Sequence, residues 1–459
     1  MSVHQRLSYA SMQRSQAALR FTALALLLVA LLLGGATQGG FQAQAAVRVV
    51  GLGCLLMAIW LSPSLWASGS RFPLLLLAAT IMVPLLQLIP LSPAVWTQLP
   101  QRTFEVEAYR AAGLALPWLP VTLAPYATWN AAYALVPPTA MFLLTLSLET
   151  PERRALVPWV LAVAAGSVVL GIGQVADGPM SPLRFYTITN ASEAVGFFSN
   201  RNHQAGFLAA VVPLAAYWAM GLTRRRQRWI LATLGVGMAL IFAVGVGVSG
   251  SRAGVLLLAG AGLGCVLMFA RNRRLRPSGR TLALGGALIL VGLIPALAFG
   301  LREILHELPA AMATDPRARA FPIVLKAAVE NLPFGTGLGT FDPVYRALET
   351  PQIVTHAYLN HAHDDYLELF LQTGVVGAVL IILFLVWFFW ASARAWRAPA
   401  QSQTAQMGRA ASVSIAILLA HSVVDYPLRT AALATLFAFL CGCLATSFPK
   451  TRPPQPPVE

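Results

Sequence analysis

Apolar runs of membrane-crossing length recur along the whole chain, separated by short polar stretches. Phe21 to Ala36, Leu231 to Val248 and Val375 to Trp390 are examples. Each approaches the roughly 20 apolar residues that a helix needs to span a bilayer. The pattern predicts helices at about 21–37, 47–66, 72–92, 128–148, 155–176, 204–222, 229–249, 253–270, 281–300, 366–393, 409–425 and 428–447. The expected fold is all-α: a polytopic membrane protein with about twelve transmembrane helices, in one integral membrane domain over residues 1–449. The Pro-rich segment 450–459 is expected to be a disordered cytoplasmic tail. Ala43-Gln44-Ala45 matches a signal-peptidase pattern. The preceding apolar run is long for a signal core, so an uncleaved first helix is expected.

Composition agrees. The 459 residues are 57% hydrophobic and 11% charged, where a soluble domain carries roughly 25% charged residues. The net charge of +15 comes almost wholly from arginine, the only lysines being Lys326 and Lys450. Such a balance can mark a nucleic-acid binder, but here the charge follows the loops. One alternate set contains Arg153-Arg154, Arg224-Arg225-Arg226 with Arg228, the 271–280 arginine cluster, and Arg394, Arg397 and Arg409. The positive-inside rule makes that set cytoplasmic, together with both termini. All but Glu149, Glu152 and Glu459 of the 17 acidic residues fall on the other face. That outer face holds three sizeable loops, at about 93–128, 177–203 and 301–365. The last, between the ninth and tenth helices, contains an expected surface helix from Arg319 to Asn331 and a Gly-rich stretch, Pro333 to Gly339. Cys54, Cys265, Cys441 and Cys443 lie in apolar runs and read as buried thiols.

Candidate chemistry concentrates on the outer face. Asn360-His361-Ala362-His363-Asp364-Asp365-Tyr366-Leu367-Glu368 packs five ionisable groups where a helix enters the membrane, and such groups at membrane depth are costly and tend to be functional. On a continuous helix His363 and Gly374 would share one face and His361 would point away. The plainer reading is a solvated helix start, with the acids facing the helix dipole. A divalent-cation site of His361, Asp364, Asp365 and Glu368 is a further alternative. Ser249-Gly250-Ser251-Arg252-Ala253-Gly254 holds an arginine at the interface between very short connections. A fixed guanidinium suits phosphate; a snorkelling arginine is the alternative. Asn200-Arg201-Asn202-His203 adds a second cation and amide donors, or simply caps a helix, while Arg317 and Arg319 complete four outward arginines that suit an anionic ligand such as a lipid diphosphate. His421 and Asp425, one turn apart with Arg429 following, read as a structural hydrogen-bonded pair or as a transporter's proton relay.

Over about Gly196 to Gly377 the chain resembles the O-antigen ligase and O-antigen polymerase superfamily of bacterial membrane glycosyltransferases. The resemblance rests on Asn200-Arg201-Asn202-His203, Ser251-Arg252-Ala253-Gly254, Pro333-Phe334-Gly335-Thr336-Gly337-Leu338-Gly339-Thr340-Phe341, and His363 followed by Gly374. No single motif is specific; their order and spacing carry the match. In the family the loop helix commonly has an aromatic a few residues after one arginine, and here both Arg317 and Arg319 precede Phe321.

The resemblance implies a GT-C-type, metal-independent, inverting enzyme with no cofactor, in the bacterial inner membrane with its active site facing the periplasm. It would move a glycan from undecaprenyl diphosphate to lipid A–core, as a ligase does, or to another lipid-linked repeat, as a polymerase does; nucleic acid is no partner. It further implies that Arg252, Arg201 and one of Arg317 or Arg319 hold the diphosphate, with Asn202, His203 and Asp364 in the substrate site and His363 activating the acceptor. A proton-coupled transporter using His421 and Asp425 is the rival from another class, but no repeated halves are seen.

Overall fold

The structure, a computed structural model, describes residues 3–38, 40–61, 71–221, 228–271, 316–350 and 359–447. Its helices are α1 (Val3–Leu33), α2 (Phe41–Leu61), α3 (Arg71–Gln87), α4 (Pro93–Trp96), α5 (Thr103–Ala111), α6 (Pro125–Ala134), α7 (Val136–Ser147) and α8 (Thr150–Ala176). They continue with α9 (Arg201–Met220), α10 (Arg228–Ser249), α11 (Arg252–Arg271), α12 (Pro316–Glu330), α13 (Phe341–Leu348), α14 (Asp365–Arg397), α15 (Gln403–His421) and α16 (Ala431–Ala445). Every expected membrane segment overlaps a helix except 281–300, which lies outside the described residues, as do 62–66, Arg224 to Arg226, the 271–280 arginine cluster beyond Arg271, parts of the 301–365 loop and the 450–459 tail. Among the described residues, 5 helices are long and apolar enough to cross a membrane by length and composition, and shorter apolar helices accompany them. The chain is a multi-pass helical membrane protein.

α9 is the centre. It is apolar around its whole circumference, as a helix enclosed by others must be, and α8, α10, α11 and α15 pack on it. Its residues from His203 to Tyr217 are buried. The outer helices keep apolar stripes on the surface, such as Val375, Val379, Ile382 and Val386 on α14. Large exposed apolar stripes of this kind suit a hydrocarbon solvent.

Three elements differ from expectation. α1 continues back through polar residues to Val3, because Gln16 bonds both Ser147 O and Glu149 N and Arg20 pairs with Glu152 at 2.9 Å. The expected 128–148 helix is two helices that meet at Leu135. Pro137 and Pro138 lack the N–H groups that would continue α6. The 93–128 loop is ordered, with α4, α5 and a two-stranded antiparallel ribbon of β1 (Pro90–Leu91) and β2 (Leu119–Pro120). Its Trp96 is fully buried and donates to Pro117 O at 2.8 Å.

α12 runs a few residues ahead of its expected span. Ala320, Val324, Ala327 and Ala328 recur at helical spacing and bury one face against Phe341, Leu367 and Leu371. The Gly-rich turn that follows lies against α14. Thr336 N and Gly337 N donate to Leu371 O and Gln372 O, and Val375 N donates to Pro333 O. Gly374 (φ 55, ψ −139) interrupts α14 there. A Cβ on Gly374 would lie 2.1 Å from Pro333 O. The close approach that Gly374 permits is therefore to this turn and not to a neighbouring helix.

The described arginines at the edges of the arginine-rich loops lie at one end of the bundle. Arg154 donates to Gly221 O at 2.7 Å, and Arg271 reaches Arg397 O at 3.5 Å. The ends of α8, α9, α11 and α14 therefore meet there, opposite the ends that carry the histidines.

Candidate active site

Four helix ends converge at the histidine end: the starts of α9, α11 and α14 and the finish of α15. Gly254 allows α11 to press on α9, since a Cβ there would lie 2.4 Å from that of Ala205. Ser251 caps α11 by accepting from Gly254 N at 3.1 Å and donates its own hydroxyl to Asn202 Oδ1 at 2.8 Å. Asn200 caps α9, accepting from Asn202 N at 2.8 Å.

Asp425, in the turn after α15, is the hub. Asn202 Nδ2 donates to its Oδ2 at 2.7 Å, and Tyr426 N to its Oδ1 at 2.9 Å. His363 Nδ1 lies 3.2 Å from Oδ1. His203 Nε2 and His421 Nε2 stand farther off, at 3.7 and 4.0 Å. Neither of those two rings has a hydrogen-bond partner among the described residues. Asp425 is almost fully buried. Burial alone would raise its proton affinity, but the histidines beside it hold it well below the usual carboxylate range. His363 is displaced below the ordinary imidazole value by burial, against the upward pull of Asp425; the charge of Arg317 adds to the lowering. An anionic Asp425 accepts the Nδ1–H of a neutral His363 and leaves Nε2 as a proton acceptor.

His363 is not on α14. Its φ is 55, a value few non-glycine residues adopt. It is followed by Asp364, the cap, whose Oδ1 accepts from Tyr366 N and Leu367 N at 2.9 and 3.0 Å. Burial raises the proton affinity of Asp364, with those two bonds opposing. The shared helical face of His363 and Gly374 therefore does not form: α14 begins after the histidine and breaks at the glycine. The strained backbone instead turns the imidazole onto Asp425.

A second network lies beneath. Arg429 Nε donates to Asp365 Oδ1 at 3.0 Å, and its Nη1 donates to Gln372 Oε1 at 3.1 Å and sits 3.5 Å from Glu368 Oε1. Ser422 donates to Asp365 Oδ2, and Ala362 N to Glu368 Oε2. The carboxylates of the expected cation alternative are thus spent on an arginine, a helix cap and His361. No group of three or more His, Cys, Asp or Glu side chains that could hold a metal forms among the described residues. The side chains of His421 and Asp425 make no hydrogen bond to each other; the Asp425 carboxylate turns to Asn202 and His363 instead.

The arginines surround this centre. Arg252 is exposed at the first position of α11. Arg201, at the start of α9, pairs with Glu193 at 2.8 Å and lies over Gly250. Arg317 is half-buried on α12 and its charge acts on His363 and Tyr426, whereas Arg319 is exposed. His203 is fully buried behind Tyr426, with ring centroids 4.8 Å apart. Sequence reasoning missed Tyr426, the pairing of Asp425 with His363, and the Arg429 network. One signal was available: Asp365, Glu368 and Arg429, charged and at membrane depth, had to find one another.

A multi-pass helical bundle whose helix ends present a carboxylate-bound histidine among arginines is suited to transfer chemistry on an anionic, membrane-borne substrate. Residues 237–382 match the family described as O-antigen ligase, which supports the O-antigen ligase superfamily for this chain and, with it, glycosyltransferase-like ligase or polymerase chemistry on lipid-linked glycans. No curated protein matches the chain. The matched segment holds Arg252, Arg317 and His363 but neither Asn202 nor Asp425; hydrogen bonds join those two to it.

Proposed function

We propose that the chain is an O-antigen ligase that moves a glycan from undecaprenyl diphosphate to lipid A–core at the periplasmic face of the inner membrane. The observation that carries this reading is the 3.2 Å contact of His363 Nδ1 with Asp425. A carboxylate so placed holds the imidazole in the tautomer whose Nε2 can take a proton. The acceptor hydroxyl attacks the anomeric carbon, its proton goes to His363 Nε2, and the bond from the sugar to the diphosphate oxygen breaks. The negative charge that grows on the departing lipid diphosphate is met by Arg252, Arg201 and Arg317 and by the starts of α9 and α11. Of Arg317 and Arg319, the first is favoured because its charge bears on His363.

In this reading the arginines do a metal ion's work, the reaction inverts the anomeric centre, and Asn202 serves the substrate only by fixing Asp425, with His203 packed behind Tyr426. The test uses the purified full chain with the lipid-linked donor and the acceptor glycolipid fraction from a strain lacking the protein. His363→Ala should lower turnover by about 10²–10⁴-fold, and EDTA should leave the wild type unchanged. Full activity of His363→Ala would overturn the base assignment. EDTA inactivation reversed by added cation would overturn the metal-free reading. The deletion strain should accumulate long lipid-linked chains; a single-repeat phenotype would replace ligation with polymerisation.

A further inference from the structure

Besides His203, Tyr426 packs against two further histidines. His363 meets its ring with centroids 4.8 Å apart, and His361 with centroids 4.4 Å apart. Each histidine is bound at Nδ1 by a different carboxylate. For His361 the partner is Glu368, at 3.0 Å from one oxygen and 3.2 Å from the other. Glu368 is fully buried and already satisfied: it receives Gln372 Nε2 at 3.1 Å and Ala362 N at 2.9 Å, with Arg429 Nη1 at 3.5 Å. A carboxylate with an arginine and two other donors does not need a histidine to neutralise it. The His361 side chain is 19% exposed against 10% for that of His363, so it is the more accessible of the two. With Nδ1–H given to Glu368, Nε2 is left as an acceptor.

The site thus contains two histidine–carboxylate pairs about one phenol, while transfer removes one proton. We propose that His361 holds a second hydroxyl of the acceptor. The acceptor is then a sugar with a free hydroxyl close to the one that is glycosylated, and not a serine or threonine side chain, which has no second hydroxyl to offer. This rests on the assignment of His363 as the base. A site built to bind a hydroxyl discriminates strongly against acceptors that lack it, because its own polar atom is then left unpaired.

The experiment has two arms. In the first, the product made by the wild type is analysed for linkage; the glycan is expected on a sugar that keeps another free hydroxyl. In the second, initial rates are measured against the acceptor glycolipid fraction of the deletion strain. His361→Ala should raise the apparent KM for that fraction at least about tenfold, with kcat and the donor KM within a few-fold. His361→Gln, whose amide oxygen can accept the same hydroxyl, should recover part of the loss. Transfer to a protein side chain, transfer to a sugar with no other free hydroxyl, or an unchanged acceptor KM in His361→Ala would overturn the proposal. His361→Phe, which keeps the ring's bulk but has no hydrogen-bond acceptor, should raise the same KM and is decisive should the His361→Ala chain fail to fold. Full activity of His363→Ala would remove the base assignment while both His361 readouts still stood, so the two failures are distinguishable.

Discussion

The imidazole of His363 meets the carboxylate of Asp425 at 3.2 Å, although 62 residues separate them in the chain. The contact sets both the orientation and the proton affinity of the imidazole, and its removal has two separable consequences.

Asp425→Asn should lower kcat by about 10²–10⁴-fold, the range that a positioned base contributes. It should also change the pH profile. Neutral His363 is the working form, so kcat/KM falls as pH drops through a value below the ordinary 6.5. Asp425 pulls that value up. Without its charge the imidazole holds its proton less well, and the acidic limb moves to lower pH. A limb that moves to higher pH would contradict the pairing.

Arg317 and Arg319 should separate cleanly. Loss of one group that stabilises developing charge costs about 10²–10³-fold in turnover. Arg317→Ala should lose that much and Arg319→Ala only a few-fold, in steady-state rates at saturating donor. Arg252→Ala should resemble Arg317→Ala, and Arg252→Lys should recover part, because lysine keeps charge but not the fork of donors. Equal losses for Arg317→Ala and Arg319→Ala would undo the preference for Arg317.

Arg429 holds two buried carboxylates, Asp365 and Glu368. Arg429→Met leaves both without their cation, and breaking a buried pair in this way costs about 3–5 kcal/mol. Thermal unfolding of the purified variant in detergent should show a clear drop in Tm. An unchanged Tm would mean that the network is not formed.

Gly374→Ala tests the interruption of α14. The alanine would need φ 55 and would bring its Cβ to 2.1 Å from Pro333 O. Backbone strain of this kind costs of order 1–3 kcal/mol before any clash is counted. Lower Tm together with lower turnover is expected; a variant as stable as wild type would mean that α14 runs straight through.

The orientation of the bundle is checked with single cysteines at two exposed positions, Ala347 on α13 and Gln401 before α15, in a background lacking the native four. A membrane-impermeant maleimide added to intact spheroplasts should label Ala347→Cys and not Gln401→Cys. The reverse pattern would turn the protein over in the membrane.

What the sequence determined by itself was local or averaged over many residues. Membrane segments were legible because the bilayer demands long apolar runs, and the arginine end because the positive-inside rule sums over several loops. His363 and Arg252 were legible as candidates because each is ionisable at the end of an apolar run. Tertiary structure alone decided the partners. The helical count that aligned His363 with Gly374 failed because α14 starts after one and breaks at the other. The break between α6 and α7 depends on two prolines whose effect the apolar pattern does not register. Asp425 was visible one turn from His421, the nearer residue in sequence, yet its carboxylate bonds to Asn202 on α9 and to His363 ahead of α14. Glu368, Arg429 and Tyr426 likewise gain their meaning only when α14 and the turn after α15 are side by side. Periodicity along a chain says which face of a helix is apolar. It does not say which helix ends will meet, because that is settled by packing among segments far apart in sequence.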